Sequence, residues 1–230
     1  MKHILLLHGA LGSAEQFDEL ETQLSSRFIV HTLNFSGHGG LPIPEEGFSI
    51  ELFAKDVLNF LDEKKISSIN IFGFSMGGYV ALHLAVHHPS RIKKIFTLAT
   101  KLDWSREAAD REIKMLNPEK MQVKIPDFVK SLDERHSPSD WKKVVQQTAG
   151  MMQRLSEKPL AENDFKKIEI PVRLTVGDRD QMVSLNETQQ TFKALKSASL
   201  LVLPETPHTF EKVNVERLGF ELKMFFNHAG

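Results

Sequence analysis

Residues 4–7 read Ile-Leu-Leu-Leu and residues 69–72 read Ile-Asn-Ile-Phe, short apolar runs that barely alternate with polar residues. A strand with one wet face alternates. An unbroken run is buried on both faces, the condition of a parallel sheet covered by helices. Similar runs lie at 28–33, within 92–99, at 170–176 and at 199–203. Between them, apolar residues recur at helical spacing. Phe17, Leu20 and Leu24 share a face behind Ser13, a natural cap with Glu15 in the first turn. Behind Ser49, Phe53, Val57, Phe60 and Leu61 make an inward stripe that ends at Lys64. Helical patterns also cover 79–88, 187–195 and 213–226, the last carrying Leu218, Leu222, Phe225 and Phe226 on one stripe. Strands alternating with helices predict an α/β fold, a mostly parallel sheet of about six strands flanked by helices.

The texture changes between residues 101 and 167. No strand-like run occurs there. Helical stretches around 104–116, 126–132 and 139–155 are rich in charge and in methionine, with Met115, Met121, Met151 and Met152. A helical insertion at 101–167 is therefore expected within a core made of 1–100 and 168–230. The chain is 41% apolar and 26% charged with a net charge of -1, so electrostatics offer no case for nucleic acid or an anionic membrane. The expected partner is a small molecule. Cysteine is absent, which removes disulfides, thiolate metal sites and cysteine nucleophiles and suits a reducing cytoplasm. Residues 1–7 faintly imitate a secretory leader, but their apolar core stops at His8-Gly9, short of the roughly 7–15 residues such a segment needs. They read as a strand. No apolar run approaches the roughly 20 residues of a membrane span, and a cytoplasmic protein is expected.

One stretch carries chemistry. Gly73-Phe74-Ser75-Met76-Gly77-Gly78 follows a strand and precedes a helix, so Ser75 sits on a sharp strand-to-helix turn, the arrangement of a nucleophile elbow. A serine hydroxyl needs a base to take its proton and donors to hold the oxyanion that forms. Parallel sheets place ligands at the carboxyl ends of their strands. Just past those ends lie His8-Gly9-Ala10, Ser75, Asp180 and His208. A serine, a carboxylate, an imidazole and a glycine-rich turn are the parts that acyl transfer requires. Neither glycine-rich loop carries the Gly-Lys-Ser/Thr ending of a phosphate loop, and Gly9-Ala10-Leu11-Gly12 does not fit a dinucleotide fingerprint. His83, His87 and His88 lack a carboxylate or cysteine at ligand spacing, so neither metal nor cofactor is expected.

The order His8-Gly9, Gly73-x-Ser75-x-Gly77, Gly177-x-x-Asp180, then His208 resembles the α/β-hydrolase superfamily over nearly the whole chain. The resemblance implies that Ser75 attacks a carbonyl, His208 takes and returns the proton, and Asp180 fixes the imidazole tautomer. Asp178, two residues earlier, and Asp103, after the preceding strand, are rivals for the acid. The backbone N–H of Met76, at a helix N-terminus, is one expected oxyanion donor. That of Ala10 is the second, carried over from the family. Gly73 and Gly77 would leave room for the strained turn, and Gly78 would let helix and strand pack closely. His8 reads as a prop for the oxyanion turn and His38 as a structural group holding nearby backbone. The 101–167 segment resembles the family's helical cap. Its methionines, with Trp104, Phe128 and Trp141, either line an acyl pocket or pack the cap itself.

The implied function is a serine hydrolase of a carboxylic ester, thioester or similar small acyl substrate. Members with aspartate at the elbow are disfavoured by Ser75. The chain is also similar to small esterases of biotin synthesis and to the menaquinone-pathway lyase, which leaves triad-based carbon–carbon cleavage or elimination as an alternative. A non-catalytic ligand receptor on the same fold is a further one. Asn34 and Ser36 depart from the aspartate and proline common in relatives.

Overall fold

The computed structural model describes residues 1–227. Six strands form one sheet: β1 (Lys2–Leu7), β2 (Phe28–Leu33), β3 (Ile69–Phe74), β4 (Ile92–Leu98), β5 (Val172–Gly177) and β6 (Ala198–Leu203). Their spatial order is β2-β1-β3-β4-β5-β6, and every pairing is parallel. Helices connect them: α1 (Asp18–Leu24), α2 (Ile50–Glu63), α3 (Met76–His87), then α4 (Arg106–Met115), α5 (Pro118–Lys124), α6 (Pro126–His136), α7 (Trp141–Glu157) and α8 (Glu162–Phe165), and finally α9 (Leu185–Ala194) and α10 (Val215–Asn227).

Side chains alternate across the pleat, so β1, β3 and β4 each feed two cores. Ile4 and Leu6 of β1, Phe72 and Phe74 of β3 and Phe96 and Leu98 of β4 face α1 and α10, against Phe17, Leu20, Leu222 and Phe226. Leu5, Leu7, Ile69, Ile71 and Ile95 face the other way, against Phe53, Val57 and Leu61 of α2 and Val80, Ala81 and Leu84 of α3. Each fully buried leucine or phenylalanine here stabilises the fold by about 1.5–3 kcal/mol. Phe60 is only half-buried and packs edge-on to His31 at 5.4 Å, and Lys64 lies exposed just past the helix end. The inward stripe of α2 also takes in Ile50 and Ala54, with Phe60 packed at its margin.

The chain runs outward from β1 to β2, returns to β3 on the opposite side of β1, and continues outward through β6. The reversal opens a crevice beyond the carboxyl ends of β1 and β3, where α/β sheets place their ligands. Between β4 and β5 the chain leaves the sheet for the five helices α4–α8. Here α5 and α8 are additional to the helical stretches legible in the sequence. The helix after β3 starts at Met76, three residues earlier than its sequence pattern. No helix among the described residues is long and apolar enough to cross a membrane.

Candidate active site

Ser75 holds φ 49° and ψ −116°, a conformation that L-residues rarely adopt. Its own backbone is tied down on every side. The Ser75 N–H donates to the Leu98 carbonyl of β4 at 2.8 Å. The Ser75 carbonyl accepts from Gly78 N–H at 3.0 Å, Tyr79 N–H at 3.3 Å and the Thr100 hydroxyl at 3.1 Å. These bonds hold a strained residue that propensity would not. Small residues make the closeness possible. A side chain at Gly77 would overlap the Leu7 carbonyl, and one at Gly9 would lie 3.1 Å from the Ser75 Cβ and 3.0 Å from the Phe74 ring.

The elbow, the loop after β5 and the loop after β6 converge. The Ser75 Oγ is 3.3 Å from His208 Nε2, and His208 Nδ1 is 2.9 Å from Asp180 Oδ2. The Asp180 side chain is fully buried and that of His208 largely so. Asp180 Oδ1 also accepts the N–H groups of Met182 at 2.8 Å and Val183 at 2.9 Å. Burial alone would raise its pKa. The bond to His208, the charge of that imidazole and the two N–H groups outweigh it, and hold the carboxyl below the usual aspartate range. With a carboxylate accepting at Nδ1, the imidazole carries its proton there and leaves Nε2 bare toward the serine. Phe74 backs the ring at 5.6 Å between centroids.

Asp178 is turned away and accepts from Thr206 N–H at 3.2 Å, tying the ends of β5 and β6 together. Asp103 accepts from Ser105 N–H at 3.0 Å, next to its own backbone. Neither contacts His208. Ala10 and Met76 border the same cavity as Ser75, and neither of their N–H groups donates a hydrogen bond to a described residue.

That cavity has a volume of about 340 Å³ and lies between the strand ends and helices α4–α7. Trp104, Met115, Met121, Phe128, Met151 and Met152 contribute to its wall. Trp141 does not, being buried among neighbouring side chains instead. Polar groups at the wall include Lys101, Glu112, Arg135 and Glu211. A second groove of about 610 Å³, lined by Glu51, His83, His87 and Asp164 among others, does not reach Ser75. Among the described residues, no three or more histidine, cysteine or acidic side chains are grouped to hold a metal ion.

Three histidines sit behind the site. His8 Nε2 accepts from Phe35 N–H at 3.2 Å, so its proton is on Nδ1, which donates to the Gly9 carbonyl at 2.8 Å. His136 Nδ1 accepts from Gly39 N–H at 3.2 Å, and its Nε2–H donates to the Leu11 carbonyl at 3.1 Å. His38, between them, donates from Nδ1 to the Ser36 carbonyl at 3.2 Å. His8 and His38 thus hold backbone. Burial pushes the His8 pKa down to about 4, against the opposing bond to Gly9, and Coulombic repulsion from Arg135 and from a protonated His136 disfavours the charged ring further. Burial likewise pushes His136 down to about 4, opposed by its bond to Leu11 and helped by Arg135.

Both imidazoles are therefore neutral in the folded protein, whereas an unfolded histidine titrates near about 6.5. Between these values the unfolded chain binds more protons. The stability from these two groups is complete above about pH 6.5 and is lost as pH falls toward about 4, on the order of 3 kcal/mol for each. The urea midpoint should drop steeply between about pH 7 and pH 4.5. An unchanged midpoint would mean that these rings are not buried and neutral.

Sequence patterns gave no sign of Thr100, Arg135 or His136 at this site. Thr100 has a weak signal in retrospect, since it lies just past a strand end. The other two belong to a helix whose docking no local pattern reveals.

Comparison with known proteins follows this architecture. A family model described as the alpha/beta hydrolase fold matches residues 2–163. A pimeloyl-[acyl-carrier protein] methyl ester esterase of Neisseria meningitidis is 25% identical over 235 aligned residues, covering 90% of this chain and 71% of the relative. One from Citrobacter koseri is 33% identical over 110 residues, 46% of this chain and 40% of that protein. Among solved structures, a meta-cleavage product hydrolase superposes with a TM-score of 0.82 at 18% identity, covering 100% of this chain and 92% of the other. The enol-lactonase from Burkholderia xenovorans gives 0.78 at 19% identity, with coverage of 99% and 92%. These two likenesses are of architecture. With the family match spanning well over half of its length, the chain belongs to the α/β-hydrolase fold family.

Proposed function

We propose that the protein is a serine esterase that cleaves a carboxylic ester with an extended apolar acyl chain. The observation that carries the reading is the hydrogen-bonded series Ser75–His208–Asp180, whose first two members line a mainly apolar cavity. Relatives named as methyl ester esterases of a carrier-bound acyl chain support the ester as the reacting group.

Ser75 Oγ attacks the carbonyl carbon while its proton passes to His208 Nε2. The carbonyl oxygen takes the negative charge and is held by the N–H groups of Ala10 and Met76, the latter at the positive end of α3. The imidazolium, stabilised by Asp180, returns the proton to the alcohol oxygen as the carbon–oxygen bond breaks. An acyl-Ser75 remains. Water then gives a proton to His208 and attacks, and Ser75 departs with that proton. The 101–167 segment acts as a cap over the acyl chain.

A fluorophosphonate probe followed by peptide mapping tests the nucleophile, and an ester series of increasing acyl length tests the pocket. Ser75 should be labelled in folded protein. Each added methylene that enters the cavity should raise kcat/KM by about 3- to 4-fold until the space is full, from about 0.8 kcal/mol per buried methylene. An unlabelled Ser75 would sink the reading. A flat length series would remove the acyl pocket from it. Labelling without turnover of any ester would move the chemistry to triad-based carbon–carbon cleavage or elimination.

A further inference from the structure

The oxyanion turn is held from outside the sheet. Leu11 has φ 60°, a left-handed conformation that a non-glycine residue keeps only when its surroundings hold it there. Its carbonyl accepts two hydrogen bonds, from Arg135 Nη1 at 2.9 Å and from His136 Nε2 at 3.1 Å. Both donors belong to α6. With Leu11 left-handed, the Gly12 N–H turns back to the Gly9 carbonyl at 3.1 Å, where His8 Nδ1 also donates at 2.8 Å. That carbonyl shares a peptide plane with the Ala10 N–H. In a trans peptide the two point in opposite directions, so pinning one aims the other. A chain of constraint therefore runs from α6 through Leu11 and Gly12 to the direction of the Ala10 N–H.

The same guanidinium reaches the other side of the site. Arg135 Nη2 donates to Glu211 Oε1 at 3.2 Å, three residues beyond His208. Glu211 also accepts from Gln16 Nε2 at 2.7 Å, and Gln16 Oε1 accepts from Ser13 N–H at 3.1 Å. Arg135 thus joins the loop after β1 to the loop after β6. A planar fork holds donors on two separate nitrogens in a fixed geometry that suits these two acceptors, whereas the donors of an ammonium all sit on one nitrogen. The side chain is only 16% exposed, so water competes weakly for these bonds.

We propose that Arg135, supported by His136, is a positioning residue for catalysis: docking of α6 sets the Ala10 oxyanion donor and the His208 loop in register. The insertion then governs whether the machinery is assembled, as well as which chain fits. The inference rests on the roles given to Ala10 and His208 above.

The test uses p-nitrophenyl acetate, whose acetyl group is too short to report on the acyl wall, and the rate of Ser75 phosphonylation by a fluorophosphonate. Arg135→Met should lower kcat on the acetate by about 10- to 100-fold, short of the full loss of an oxyanion donor, with KM within about 3-fold. Phosphonylation should slow by a similar factor. Arg135→Lys should recover only part of the loss. Glu211→Ala alters a half-exposed side chain and so tests one arm without endangering the fold. It should cost about 3- to 10-fold in kcat, and add little to Arg135→Met, because coupled groups are not additive. Unchanged kcat and phosphonylation in Arg135→Met and Glu211→Ala would overturn the proposal. So would a loss confined to KM that grows with acyl length, the mark of a wall residue. No labelling of Ser75 in the unmodified protein would instead overturn the esterase reading, and this inference with it.

Discussion

Ser75→Ala is expected to lower ester turnover by on the order of 10⁴- to 10⁶-fold, because removing the nucleophile of such a unit disables the unit as a whole. The same change should hardly touch stability. The Oγ makes one hydrogen bond, at a long 3.3 Å to His208, worth about 1 kcal/mol or less. The bonds that hold the elbow come from the Ser75 N–H and carbonyl, which alanine retains. Thermal unfolding should therefore shift by no more than about 2–4 °C. Kinetics on a soluble ester and a melting curve of the same preparation decide the matter. Turnover within about tenfold of the unmodified protein would dismiss Ser75 as nucleophile.

Asp180→Asn should cost about 10⁴-fold in kcat, and the geometry supplies the reason. Oδ1 accepts two backbone N–H groups, from Met182 and Val183. An asparagine has one carbonyl oxygen, and those two donors claim it. Its amide NH₂ is then turned toward His208 Nδ1, where Oδ2 now accepts at 2.9 Å. A donor facing Nδ1 moves the imidazole proton to Nε2, and the nitrogen facing Ser75 can no longer take a proton. The fold keeps its two backbone bonds, so the loss should appear in kcat with little change in melting temperature. Asp178→Asn and Asp103→Asn provide the comparison. Asp178 accepts a single N–H from Thr206, which an asparagine oxygen can still accept. Activity within about tenfold in Asp180→Asn, or a fall of similar size in either comparison variant, would reassign the acid.

The sheet was legible because burial on both faces leaves an unmistakable sequence. Residues 4–7 have no polar position, and the strand they predict runs Lys2–Leu7. The start of α3 was harder. Met76, Gly77 and Gly78 are weak evidence for a helix, two glycines lowering its propensity, and the turn is imposed by packing against Leu7 and Thr100. Helices α5 and α8 span seven and four residues, too short to show a period, and they exist through what they dock against. The convergence of Ser75, Asp180 and His208 could be anticipated because each follows a strand end, a place the topology brings to one edge. Choosing between Asp178 and Asp180 depends on which way a loop of a few residues turns, a matter of hydrogen bonds to Thr206 and Val183 rather than of composition. Arg135 and His136 touch Leu11 across more than a hundred residues of sequence. Their contact depends on how a whole helix seats, and no local pattern encodes that.

The strand order has a consequence for where the molecule is durable. Ser75 springs from β3, flanked by β1 and β4 in the middle of the sheet, whereas His208 hangs from β6, which has one neighbour and residues partly open to water. Protection against local opening falls from the centre of a sheet to its rim. The proposed nucleophile is built into the keel and the proposed base is mounted on the gunwale. Fraying at that single margin would part the proposed base from the proposed nucleophile while five strands stay together, so activity is expected to be lost on mild heating before the fold unfolds.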